Sequence, residues 1–266
     1  MSTQVQSVTR LSASMIRVVV HGPELARFAD PEQADSYVKV VFLVPGVTYP
    51  RPIDPNRIRA ELPAEQWPAV RTYTVRAFDR ARLELTLDFV IHGTAGVAGP
   101  WATGAAVGDE VLIMGPGGGY SPQPEASWHL LVGDEAALPA IAVALERIPA
   151  STPVSALVEV HGREDEIDLA RPVTWLHRGD GGVGELLTDA VRNWTRPAGE
   201  GQAFVHGEAG WVRDVRRHLR VDRELPLGAL SISGYWRVGV DDEGWRATKR
   251  EWNAEIEAGE RTAGAA

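Results

Sequence analysis

The chain changes texture once, near residue 120, and that change limits the architectures open to it. Up to about residue 115 it offers only short β-prone runs. Residues 5–11, 15–20, 37–44, 70–77, 83–91 and 110–114 are rich in Val, Ile and Tyr, and Gly22-Pro23, Pro45-Gly46 and Gly108-Asp109 punctuate them. No crossover helices are legible between these runs, so a six-stranded antiparallel β-barrel is predicted. A barrel of this size is filled by its own side chains, and a ligand has to lie against its outside. From residue 128 the pattern differs. Strand-like runs at 128–132, 154–160, 173–176, 203–206 and 230–233 alternate with helical periods at 138–148, 185–194 and 209–219. That alternation is the signature of a parallel sheet with crossover helices, an α/β domain. Residues 121–126 read as the linker, and the last segment as a polar C-terminal helix carrying Trp245 and Trp252. The expected division is therefore 1–120, 127–240 and a tail at 241–266.

Composition narrows the chemistry. With 266 residues, 44% apolar and 24% charged, the chain has the make-up of a soluble globular protein of two ordinary domains. It has no cysteine, so disulfides and thiolate-held iron–sulfur clusters are excluded, and electron chemistry would need a bound organic cofactor or a metal on other ligands. The net charge is −9, with residues 1–90 close to balanced and the remainder carrying the excess of acid. An acidic surface of this kind argues against nucleic-acid binding. The first residues lack the basic and apolar regions of a secretory signal, and the longest apolar run, 136–145, is far short of the ~18 residues that cross a membrane. A cytoplasmic protein with no membrane partner, a monomer, is expected.

The stretch richest in chemistry is Arg71-Thr72-Tyr73-Thr74-Val75-Arg76. On a strand, Arg71, Tyr73 and Val75 share one face and Thr72, Thr74 and Arg76 the other. A guanidinium, a phenol ring and a hydroxyl within four residues suit a ligand that is anionic, flat and hydrogen-bonding, and a flavin nucleotide is all three. Seventeen residues on comes Asp88-Phe89-Val90-Ile91-His92-Gly93, followed by a Gly-rich run through Gly96, Val97, Ala98 and Gly99 to Trp101. A Gly-rich turn opening a helix exposes backbone N–H groups that can hold a pyrophosphate.

These two stretches, together with Gly133-Asp134-Glu135-Ala136-Ala137-Leu138-Pro139-Ala140, Gly207-Glu208-Ala209 and Ser233-Gly234-Tyr235-Trp236-Arg237-Val238-Gly239, resemble the siderophore-interacting protein family over nearly the whole chain. Members are flavin-dependent ferric-siderophore reductases of the ferredoxin-reductase-like superfamily. The resemblance implies a β-barrel that binds FAD, followed by an NAD(P)H-binding α/β domain. It implies that Arg71 holds the flavin phosphate, Tyr73 stacks on the isoalloxazine and Thr74 approaches its N5. Asp88, Val90, His92, Gly96, Val97, Ala98, Gly99 and Trp101 would lie along the nucleotide. Relatives commonly carry Pro and a small hydroxyl residue where this chain has Val97 and Gly99, which leaves backbone contacts as the expected ones there. Gly133, Asp134, Glu135, Ala137, Gly207 and Glu208, with Tyr235 and Trp236, are the expected nicotinamide-facing set.

The residues themselves leave alternatives open. The second domain lacks Gly-x-Gly-x-x-Gly, but Gly133-Asp134 stands at the carboxyl end of its first strand, where open α/β sheets bind ligands. Asp134 reads equally as a turn and an N-cap, and Glu208 either as a helix cap or as a nicotinamide contact. His161-Gly162-Arg163 could accept a ribose phosphate, yet Glu164, Asp165 and Glu166 follow directly, so NADH and NADPH stay unresolved. There is no Gly-x-Ser-x-Gly or His-Glu-x-x-His, and the seven His are scattered. The Pro-rich insert at 49–68 carries Arg57 and Arg59, and the tail carries Arg246 and Lys249 at helical spacing. These four are candidates for binding an anionic ferric siderophore, against the ordinary reading of solvated charge. A general NAD(P)H:flavin oxidoreductase and a non-catalytic flavin- or siderophore-binding protein are the alternatives to a ferric-siderophore reductase.

Overall fold

The computed structural model describes residues 1–91, 93 and 96–263, which divide into two compact units: 1–31 with 36–117, and 32–35 with 118–266. The first is a closed barrel of β1 (Ser2–Arg10), β2 (Met15–His21), β3 (Tyr37–Phe42), β4 (Ala69–Asp79), β5 (Glu84–Val90) and β6 (Glu110–Gly117). Their order is β1-β2-β5-β4-β3-β6, every pairing antiparallel. The alternation read from the sequence explains the closure. Ile16, Val18 and Val20 of β2, Val38, Val40 and Phe42 of β3, and Leu85, Leu87 and Phe89 of β5 all point into one core. The pairing of β4 with β5 slips between Val75 and Ala77, a bulge that bends β4 just after its chemistry-bearing run.

The insert between β3 and β4 is folded rather than a plain loop. It contains α1 (Pro55–Glu61), capped by Asp54 accepting from the backbone N–H of Asn56 and anchored by the fully buried Ile58. Tyr49 fastens its base by donating to the Gln66 carbonyl and accepting from the Val44 N–H. After β5, α2 (Ala98–Gly104) lays Ala98 and Ala102 on the barrel core.

The second unit is a parallel sheet of β7 (His129–Gly133), β8 (Val154–Val160), β9 (Thr174–His177), β10 (Gln202–Glu208) and β11 (Leu230–Trp236), in the order β11-β10-β7-β8-β9. The helix α3 (Leu138–Arg147) is buried along nearly its whole length. The other face carries α4 (Glu185–Asn193) and α5 (Ala209–Arg217), whose Leu187, Val191, Trp211, Val212 and Val215 join Leu130, Val132, Ala203 and Val205 in the core. The tail is α6 (Asp242–Thr262), a single 21-residue helix. It packs onto its unit: Trp245, Trp252 and Ile256 enter the same core, and Glu260 accepts two bonds from the Arg216 guanidinium.

Candidate functional site

Strand β4 presents the side chains its sequence promised. Tyr73 and Val75 lie against the barrel core, and Thr74 is buried. The Tyr73 ring sits 4.1 Å from that of Phe89, which in turn meets Trp101 at 5.3 Å, and Trp101 reaches Phe42 at 5.7 Å. The four rings form one aromatic run that fixes the tyrosine at the surface of the barrel. Trp101 is thus a packing residue of this run. Arg71 Nη1 donates to the Val70 carbonyl, which keeps its guanidinium along the strand.

The companion stretch is built differently from its expected role. The Asp88 carboxylate is 1% exposed and accepts two bonds from Arg17, directly opposite it on β2, at 2.7 and 2.8 Å. It is an internal tie of the barrel. Val90 ends β5 half-buried, and His92 lies outside the described residues. In the turn that follows, Gly93 and Gly96 have φ of +58° and +77°, and nothing stands within 4 Å of where a Cβ would be. That backbone is open to a ligand and is accessible only because it is glycine. Val97 is exposed beside it, while Ala98 is buried and Gly99 packs near Ile91. A donor set of one guanidinium, one hydroxyl, an anchored ring and an open glycine turn fits a flavin nucleotide.

In the second unit, the carboxyl ends of β7, β10 and β11 converge on Asp134. It is fully buried, its Oδ1 accepting from the Ala136 N–H at 3.0 Å and its Oδ2 from the Glu208 N–H at 2.7 Å and the Trp236 indole N–H at 3.0 Å. Burial, with the neighbouring Glu135 adding to it, pushes the Asp134 carboxyl up to about 7. Gly207, at φ +153°, is required here, since a Cβ would stand 2.4 Å from Asp134 Oδ2. Glu208 proves to be a cap: its Oε2 accepts from the N–H of Gly210 and Trp211 at the start of α5, and its Oε1 from that of Val238. Ala137 is fully buried, and Gly133 is pressed against it. Gly133 has no side chain and that of Ala137 is sealed from solvent, so their contribution to any ligand is through backbone. Tyr235 stands edge-on to the ring of His206 at 4.9 Å.

Sequence reasoning passed over Arg178, whose Nη1 donates to Glu135 Oε1 at 2.7 Å, while the same oxygen accepts from the His161 N–H. It also passed over Glu159, a buried carboxyl that accepts from the Gly184 N–H before α4 and whose pKa burial raises above the usual carboxylate range. Neither pair could be read from spacing, because each joins segments well apart in sequence, 43 residues for Arg178 with Glu135 and 25 for Glu159 with Gly184. Among the described residues no group of three His, Cys, Asp or Glu could hold a metal ion, and no helix is long and apolar enough to cross a membrane.

The four candidate substrate cations are separated between the units. Arg57 pairs with Glu61 one turn along α1, and the Arg59 guanidinium lies 5.6 Å from the Trp67 ring. Arg246 pairs with Asp242 one turn before it on α6, and Lys249 turns inward, donating to Ser233 Oγ at 2.9 Å. Burial lowers the affinity of that lysine for its proton.

Residues 4–120 match the siderophore-interacting FAD-binding domain, and residues 126–239 match the siderophore-interacting protein domain. The chain belongs to the siderophore-interacting protein family. Within that family it is 42% identical to an uncharacterized protein of Mycobacterium tuberculosis, over 96% of each chain. It is 30% identical to the ferric vibriobactin reductase ViuB of Vibrio cholerae, over 88% of each. Its fold overlays the crystal structure of the siderophore-interacting protein SipS from Aeromonas hydrophila with a TM-score of 0.81 at 30% identity, covering 96% of this chain and 98% of that one. As a siderophore-interacting protein, the chain carries both of the family's domains, in the order the sequence predicted.

Proposed function

We propose that this protein is an NAD(P)H-dependent ferric-siderophore reductase that works through non-covalently bound FAD in the cytoplasm, as a monomer. The observation that carries the reading is the grouping of Arg71, Tyr73 and Thr74 on β4 in the same barrel as the open Gly93 and Gly96 turn. When bound, FAD accepts two electrons from a nicotinamide and passes single electrons to Fe(III).

The chain's own residues then have separable tasks. Arg71 binds a phosphate oxygen, a charge-assisted contact that a guanidinium makes well. Tyr73, held by Phe89, lays a flat surface for an aromatic ligand, and the Thr74 hydroxyl donates or accepts at its polar edge. Gly93 and the run from Gly96 to Gly99 offer backbone N–H groups. Gly133, Asp134, Glu135, Gly207, Glu208, Tyr235 and Trp236 frame the nicotinamide end of the sheet, Asp134 and Glu208 by fixing its backbone. Arg57 and Arg59 are the proposed cations for an anionic chelate in the barrel unit. Their pairing is exposed, and a ligand with several anionic oxygens can displace it. Arg246 remains a candidate on the same grounds, whereas Lys249 is tied to Ser233 and contributes as a half-buried positive charge.

Reduction serves release, because hard oxygen chelators hold Fe(III) far better than Fe(II). The test is a steady-state assay with an Fe(II)-trapping dye, in which nicotinamide, FAD and ferric siderophore are omitted in turn. Trapped Fe(II) should require all three and the protein. Equal rates with ferric siderophore replaced by free FAD as the final acceptor would point to a general flavin reductase instead.

A further inference from the structure

Trp236 is held by a buried carboxylate that stands at the end of another strand. Its indole N–H donates to Oδ2 of Asp134, an oxygen that also accepts from the Glu208 N–H, and the two partners lie 102 residues apart in sequence. The other oxygen is taken by the Ala136 N–H, so two backbone N–H groups anchor the carboxylate before it meets the ring. Gly207 lets it press against the backbone of β10, which leaves no room for the side chain to swing away. Around it stand Glu135, paired with Arg178, and the Glu208 carboxylate, turned to the start of α5.

We propose that Asp134 is a positioning residue which fixes the indole of Trp236 against the carboxyl ends of β7 and β10, so that the ring stands as one wall of the nicotinamide subsite. The proposal rests on the assignment of that subsite to these strand ends. A carboxylate is the side chain suited to the place. It accepts on both oxygens at once, whereas an amide offers one acceptor and would set an N–H against either the Ala136 N–H or the pair on the other oxygen. The hydrogen bond also orients the ring without contributing charge to the ligand's face.

Two measurements on the FAD-loaded protein test this. The first is the ¹⁵N–¹H spectrum of the nine tryptophan indoles, in which Trp236→Phe identifies the Trp236 signal. Asp134→Asn should displace that signal well upfield and leave in place those of Trp67 and Trp194, which donate to the Leu62 carbonyl and to Ser155 Oγ. The second is anaerobic flavin reduction by NADH and by NADPH. Asp134→Asn and Trp236→Phe should each raise the nicotinamide concentration for half-maximal rate by roughly tenfold, and the double variant should be no worse than either. FAD affinity should be unchanged in all three.

An unmoved Trp236 signal in a folded Asp134→Asn protein overturns the positioning. Additive effects, or a half-maximal concentration untouched in both single variants, overturn it as well. If the unaltered protein is not reduced by either nicotinamide, the parent reading fails, and the role at that subsite fails with it. The indole spectrum then still reports separately whether Asp134 holds the ring. Conversely, a displaced signal with intact reduction kinetics refutes this inference while the reductase reading stands.

Discussion

Arg17 and Asp88 face each other across β2 and β5 and are joined by two hydrogen bonds of 2.7 and 2.8 Å, the aspartate sealed from solvent and the arginine partly open to it. Removing the arginine leaves a carboxylate in the barrel without its main partner. We expect Arg17→Met to destabilise the barrel by about 3 kcal/mol, the lower end for breaking a buried pair, since Arg17 keeps 30% of its side chain exposed. Chemical denaturation of the variant against the unaltered protein measures this. A change indistinguishable from zero would make Asp88 available for a ligand rather than committed to the barrel.

That pair shows where sequence reading reaches and where it stops. The strands themselves were legible, because in a run such as β5 Leu85, Leu87 and Phe89 alternate with Glu84, Thr86 and Asp88 at the period of a half-buried strand. Asp88 was read as a ligand contact because a motif places it beside the flavin stretch, while its partner lies 71 residues away, set only by barrel closure. The same holds for Asp134. An aspartate after a strand reads as a turn or cap, and its bond to Trp236 comes from the sheet bringing β11 beside β10. The helix α1 was missed for another reason. Asp54-Pro55 carries the cap and first-turn signal, but seven residues with one buried apolar side chain, Ile58, show no period.

Stability should depend on pH through Asp134. Its carboxyl binds a proton more tightly in the folded protein, near 7, than at its ordinary value of 3.8. Between those values the folded state holds more protons than the unfolded one, so this group's contribution falls as pH rises, by an amount on the order of 4 kcal/mol across the window. Unfolding midpoints from about pH 5 to about pH 8 should fall more steeply in the unaltered protein than in Asp134→Asn. Parallel profiles would mean that the carboxyl is already ionised throughout.

Substrate charge should be read at α1. Replacing Arg57 and Arg59 together by Gln should raise KM for an anionic ferric siderophore several-fold and flatten its dependence on salt, with flavin reduction by NAD(P)H unaltered. KM and salt dependence that stay put would return both arginines to ordinary solvated surface.

For the cofactor itself, Arg71→Ala should weaken FAD binding by about 1.5–3 kcal/mol, the scale of a hydrogen bond to a charged group. Titration followed by flavin fluorescence gives the value, and circular dichroism checks that the barrel remains folded. Unchanged affinity would remove β4 from the flavin site.

The central claim is that one chain takes electrons from a nicotinamide and delivers them to siderophore-bound Fe(III). Its most direct test is the visible absorbance of the FAD-loaded protein under anaerobic conditions, first on adding NADH or NADPH and then on adding ferric siderophore. The account predicts bleaching in the first step and recovery of the oxidised flavin band in the second, with Fe(II) formed in proportion. A protein that takes up no FAD, or whose bleached flavin persists when ferric siderophore is added, would contradict it.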